Sequence, residues 1–249
     1  MNNIAIRYLA GTAVLLLLWE AGSVTLGPEI LPAPLQSLHD FALALTDETF
    51  IGHIAVSLVR LISAILIAVG TGFTLGLLFG HLKAADWIGA PMTFITLPLP
   101  KIVLLPVFFT VFGLGDSSRI LLIALATGYQ ILVIVRETAL SIEPAYELSL
   151  RSMGATAFER VRHAYLPAAL PSLMTSLKVS LGTAMAVLFL AESFATDSGL
   201  GWLIMNAWGM ADMARMFTGI LGMCILGLIF YSGIGLLERM VCPWERRGS

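Results

Sequence analysis

RETALSIEPAYELSLRSMGATAFERVRHAYLP, residues 136–167, is a polar interruption between stretches apolar enough to cross a bilayer. Pro144, Gly154 and Pro167 divide it, because proline cannot continue a helix interior and glycine commonly closes a helix end. The pattern predicts two short helices around a tight turn. Thr156 and Glu159 stand in capping-box spacing at the start of the second, so the side chain of each can serve the other's backbone N–H. Phe158, Val161 and Tyr165 fall on one side of that helix, with Arg160, Arg162 and His163 away from it. One face is thus free to dock while the rest stays in water.

Hydrophobic residues make up 58% of the 249 and charged residues 12%, with a mean hydropathy of +0.91. No soluble domain can present so apolar a surface to water, so the chain reads as an integral membrane protein. The net charge of -2 conceals a strong spatial order, and no aromatic-plus-basic face suggests a nucleic-acid partner. Cys224 and Cys242 fit neither a zinc spacing nor a disulfide framework and read as ordinary thiols. Trp19, Glu20 and a bulky continuation stand where a signal peptide would have small residues, which predicts an uncleaved first span.

A bilayer core of about 30 Å takes roughly 20 helical residues. Six segments qualify: Tyr8 to Leu26, Ser57 to Gly80, Trp87 to Gly113, Ile120 to Val135, Pro171 to Phe194 and Met216 to Leu237. The fold class is therefore all-α and polytopic, a single membrane domain over residues 1–249 with an inner loop at 136–167 and an outer loop at 27–53. Basic residues collect on the cytoplasmic side of membrane proteins. With the N-terminus inside, the inner segments hold Arg7, Lys83, Arg136, Arg151, Arg160, Arg162, Arg239, Arg246 and Arg247, and the outer ones only Arg119 and Arg215. The first outer loop has Glu29, Asp40, Asp47 and Glu48 without a basic residue, and Pro32 and Pro34 precede a short amphipathic stretch, Leu35 to Leu45. Both termini are expected in the cytoplasm.

Gly72, Gly76 and Gly80, four residues apart, form a smooth strip that predicts close helix packing within the subunit rather than a seam between subunits. Pro91, Pro98, Pro100 and Pro106 make the third segment bent or broken, which a membrane tolerates where neighbours or a cavity satisfy the freed backbone. Such helices often line pathways. Met and Trp residues between Trp202 and Met216 suggest an interfacial belt.

On these residues the chain resembles the inner-membrane permease subunits of bacterial ABC importers, in their nitrate, sulfonate and taurine branch. The family's cytoplasmic signature ends in a glycine followed eleven residues later by Leu-Pro, and Gly154 and Leu166-Pro167 keep that spacing. RSMGA at Arg151 to Ala155 and LPAALP at Leu166 to Pro171 match the signature's flanks. Ser57 to Arg60 resembles the opening of the second span, LLPVFFTVFGLG at Leu104 to Gly115 the end of the third, and AESFATDSGLGWLI at Ala191 to Ile204 the fifth span and its following loop. The chain departs from the pattern twice. Leu148, Ser149 and Leu150 occupy the Glu-Ala-Ala positions, with Glu147 displaced by one residue, and Lys101 falls where relatives tend to have a second proline.

The resemblance implies a type I importer permease fold with a helix-turn-helix coupling loop fitting a cleft on an ATPase. It implies two cytoplasmic ATPase subunits, an extracytoplasmic substrate-binding protein and a second copy of this chain as partners, in the bacterial inner membrane. Arg151, Gly154, Ala155, Phe158, Arg162, Leu166 and Pro167 are the expected coupling residues. No loop of the form GxxxxGK[ST] occurs, so ATP and Mg are expected on the partner and no cofactor on this chain. An ionisable group within a span marks a functional position by default, which makes Arg60, Lys101 and Glu192 the pathway candidates, with Arg60 and Glu192 a plausible ion pair. An intramembrane enzyme would need a nucleophile with a base or clustered ligands, and His39, His53, His81 and His163 are scattered. An ion-coupled carrier or channel is the remaining alternative, although a carrier usually carries an internal repeat and has no use for a gripping loop.

Overall fold

A computed structural model describes residues 2–244. Arg246 and Arg247, expected on the inner side, lie outside the described residues. Among the described residues every regular element is helical. In chain order these are α1 Asn2–Leu26, α2 Pro34–Ala44, α3 Glu48–His81 and α4 Lys83–Thr96. A 3-10 turn, Lys101–Leu104, leads to α5 Leu105–Phe112, then α6 Asp116–Leu140 and α7 Pro144–Ser152. The short α8 Ala157–Arg160 passes through a π-helical turn, Val161–Tyr165, into α9 Leu166–Glu192, and α10 Leu200–Gly209 and α11 Met213–Val241 follow. Five stretches are long and apolar enough to cross a membrane, and the pair α4 with 101–112, bent by 90°, makes a sixth if taken as one broken span. That break is the one expected from the four prolines.

The residues fall into two compact units, 2–57 with 192–225 and 58–191 with 226–244. In the first, Trp19 on α1 donates to the Pro32 carbonyl (2.9 Å), and its ring stacks on Phe217. Phe41 on α2 meets Phe50 edge-on. Asp47 caps α3 through the Thr49 N–H (3.0 Å). The Thr49 hydroxyl and that N–H hold the Asp47 carboxyl below its usual range. α1 leaves Leu9, Leu15, Leu17 and Leu18 exposed, as a helix facing acyl chains does.

In the second unit the glycine strip performs the expected task. A side chain at Gly72 would collide with the Gly128 carbonyl, at Gly76 with Val135 and at Gly80 with Ala139, so α3 lies against α6 at backbone distance. Leu61, Ala64 and Ala68 on α3 and Leu122, Ile123, Ile131 and Val135 on α6 are buried.

Three expectations need correction. Residues 156–167 are not a separate short helix closed by Pro167, because the chain runs unbroken from α8 into α9. Proline lacks the N–H of the regular ladder, and the π turn absorbs the irregularity: the Leu166 N–H reaches back five residues to Val161 O. Arg119 does not sit in an outer loop. It lies inside α6, which begins at Asp116, with 1% of its surface exposed. The fifth span ends at Glu192 rather than Phe194, and what followed it as loop contains α10.

Candidate functional site

The polar segment after α6 is built from backbone motifs. Gly154 has φ +81°, and nothing lies within 4 Å of where a Cβ would stand, so the left-handed backbone alone calls for glycine. Its N–H bonds to Arg151 O and the Ala155 N–H to Leu150 O, both at 3.0 Å, the paired bonds that close α7 in a Schellman motif. Two residues on, the capping box forms as predicted. The Thr156 N–H donates to Glu159 Oε2 (2.7 Å) and the Glu159 N–H to Thr156 Oγ1 (3.3 Å). Glu147, the displaced glutamate, accepts from the Tyr165 hydroxyl (3.1 Å) and lies 3.8 Å from Arg160. It therefore ties α7 to the π turn across the loop.

The faces left outside this framework are apolar and basic. Phe158 is 72% exposed, and Tyr146, Leu148 and Met153 are exposed around the same turn. Arg151 and Arg162 are exposed, while Ala155, Leu166 and Pro167 are half-buried. Tyr165 faces inward instead, edge-on to His81 at 4.5 Å, so the side expected to carry Phe158 and Tyr165 together is divided between solvent and core.

The pathway candidates have different surroundings. Arg60, 2% exposed, donates from Nε (2.8 Å) and Nη2 (2.6 Å) to Asp116 at the start of α6. Glu192, fully buried, accepts from the Ser57 hydroxyl at 2.8 Å and from the Gly201 N–H at 2.9 Å. Around it three amides at the start of α10 are received: Gly199 N–H by His53 Nδ1 (3.1 Å), Leu200 N–H by Ser57 Oγ (2.8 Å) and Gly201 N–H by Glu192. Gly199, at φ +103°, passes so close to the Glu192 carboxylate that a side chain there would collide with it. His53 also stacks on Trp202 at 5.1 Å. His53, Ser57 and Arg60 at i, i+4 and i+7 make a polar stripe on α3, a signal available in the sequence.

Lys101 sits at the 90° break. Pro100 has no N–H to offer the Thr96 carbonyl, and Lys101 Nζ takes that carbonyl at 2.5 Å together with Leu99 O at 3.0 Å. The ammonium lies 4.1 Å from the centre of the Tyr129 ring. The Tyr129 hydroxyl donates to Thr93 O (2.7 Å) and also contacts the Thr96 hydroxyl. Other charges within the helices are held by carboxylates or by carbonyls. Arg136 bonds Asp86 on α4 (2.6 Å), and Lys178 on α9 bonds Glu238 on α11. Arg119 donates to the carbonyls of Leu114, Gly115 and Ala191.

Comparison with known proteins agrees with this architecture. The model of the family described as "Binding-protein-dependent transport system inner membrane component" matches residues 50–241. A taurine transport system permease protein of Escherichia coli (strain K12) is 29% identical over 94% of this chain and 87% of its own length. A putative aliphatic sulfonates transport permease protein of Bacillus subtilis (strain 168) is 28% identical over 94% and 85%. Among solved structures, an inward-facing MetNI methionine ABC transporter superimposes with a TM-score of 0.64 at 19% identity, covering 77% of this chain and 95% of that one. A bacterial ABC transporter involved in alginate import gives 0.64 at 15% identity over 96% of both. The chain belongs to the inner-membrane components of binding-protein-dependent transport systems, the permease subunits of ABC importers.

Proposed function

We propose that residues 136–167 are the cytoplasmic coupling loop through which a partner ATPase drives this permease to import a small anion. The observation that carries the reading is the exposed apolar and basic surface, Tyr146, Met153, Phe158, Arg151 and Arg162, set around a turn made stiff by the Schellman bonds, the capping box and Glu147. A stiff knob with outward-facing Phe and Arg has the chemistry of a binding anchor. The unbroken passage from α8 into α9 supports a direct mechanical link, since a push on the knob reaches a membrane helix without an intervening hinge.

Two ATPase subunits supply ATP and Mg, a second copy of this chain completes the pathway, and a binding protein delivers the cargo on the outer face. Both termini are cytoplasmic on this reading, with the acidic loop at 27–53 outside. The preference for an anion rests on relatives named for sulfonates and taurine and on Lys101 at the broken span. Arg60 and Glu192 serve structure, holding the start of α6 and the start of α10.

A single cysteine at Ala155, with Cys224 and Cys242 replaced, tests the loop in membranes of the native host. Cross-linking is expected to trap a nucleotide-binding ATPase in a manner that responds to ATP and fails in Gly154→Val. A loop that reacts from the cytoplasmic side yet traps no ATPase under any nucleotide condition would overturn the coupling and favour an independent carrier or channel.

A further inference from the structure

We infer that Lys101, Gln130 and Thr183 form an oxyanion-binding subsite inside the membrane portion of the permease, with Lys101 as the charge partner of the passing solute. The inference rests on the anion-import reading and locates where in this chain the anion is recognised.

Arg60, Arg136 and Lys178 each have a carboxylate partner. Lys101 differs. Its ammonium is held by the neutral carbonyls of Thr96 and Leu99 and by the Tyr129 ring, and among the described residues no carboxylate pairs with it. Dipoles can orient an ammonium but leave its unit charge uncompensated, and away from bulk water such a charge attracts a mobile anion strongly.

Lys101 also lines a cavity of about 260 Å³ together with Tyr129, Gln130, Thr183 and Val187. Gln130 Nε2 donates to Thr183 Oγ1 (3.0 Å) and Gln130 Oε1 is buried without a partner; because the Thr183 hydroxyl can donate as well as accept, turning the amide over keeps that bond and offers the free Nε2 hydrogens to an anion. Buried polar atoms are nearly always satisfied, so an unused amide group lining the same cavity as the Lys101 side chain points to a transient polar guest. The cavity is of a size for a solute of a few heavy atoms, and its apolar walls, which include Leu99, Ile102, Ala126 and Val187, suit the short apolar body of an organic anion.

The test uses the full chain in nanodiscs, with Cys224 and Cys242 replaced and Val187→Cys, which lines the same cavity without belonging to the subsite, as reporter. The thiol is modified by two methanethiosulfonates of similar size, one carrying a sulfonate and one a trimethylammonium. Any effect on the thiolate fraction is common to both, so their rate ratio reads the local charge. Lys101 is expected to favour the anionic reagent by at least about tenfold. Lys101→Gln, which keeps a donor for the carbonyls, abolishes the preference, and Lys101→Arg retains it. Ethanesulfonate slows modification in the Lys101 protein, whereas neutral dimethyl sulfone does not. That last comparison requires no Lys101 variant and so stands even if Lys101→Gln misfolds. A ratio unmoved by Lys101→Gln, or equal effects of the two solutes, overturns the subsite. No ATPase or binding protein takes part, so failure here leaves the coupling-loop reading intact, and failure to trap an ATPase leaves this result readable.

Discussion

Proline interrupts the helices at two places, residues 97–101 and residues 161–167, with opposite results. At Pro98 and Pro100 the chain stops, turns through 90° and restarts as a 3-10 turn. At Pro167 it passes through a π turn and continues for the full length of α9. The first place has two prolines in three residues, with Pro100 in an extended conformation (ψ 111°), and its freed carbonyls are capped by the Lys101 ammonium. The second has one proline at the start of a helix, where shifting a bond from i−4 to i−5 suffices. At the break in the span several backbone bonds fail and a charged side chain takes the freed carbonyls, whereas in the polar loop the ladder is repaired by its own amides.

The largest expected effect comes from removing that cap. Lys101→Met leaves the Thr96 and Leu99 carbonyls without the ammonium and is expected to destabilise the protein by about 2 kcal/mol, read as a lowered Tm in nanodiscs. Lys101→Gln, still a donor, should lose about half as much. A Tm for Lys101→Met equal to the parent's would break the comparison, because the ammonium would then not be what secures the bend.

Next comes Gly154→Val. The site has room for a side chain, so the penalty is the left-handed backbone alone, about 1–2 kcal/mol for a β-branched residue, seen together with loss of ATPase cross-linking. Thr156→Ala removes the capping box and is expected to cost about 1 kcal/mol, detectable as faster amide exchange at Glu159. Smallest is Pro167→Ala, expected within about 0.5 kcal/mol of no change, because the π turn has already accommodated the proline. A large loss in that variant would mean that proline holds the π turn rather than being tolerated by it, and exchange rates across 161–165 would register the difference.

The locally encoded parts of the molecule were legible. The Gly154 turn, the Thr156 and Glu159 box and the break around Pro98 and Pro100 depend on residues within five positions of one another, and backbone sterics decide them. Gly72, Gly76 and Gly80 announced a close-packed face, but not that Gly128, Val135 and Ala139 would meet it. Glu147 reads in the sequence as a displaced motif residue, and only the fold sets Tyr165 and Arg160 beside it. Arg119 looked like a loop charge because the sequence does not mark where α6 begins.

The sequence by itself determined that this chain is helical, crosses a membrane and carries a polar loop with a stiff turn, because composition, periodicity and capping act over single segments. Only the tertiary structure decided which charges are satisfied, giving Arg60 to Asp116, Arg136 to Asp86 and Lys178 to Glu238, while Lys101 keeps only carbonyls and a ring. Those outcomes join residues 50 or more positions apart. The pairing energy of a buried charge depends on the distance to its partner in space, and helix packing alone sets that distance.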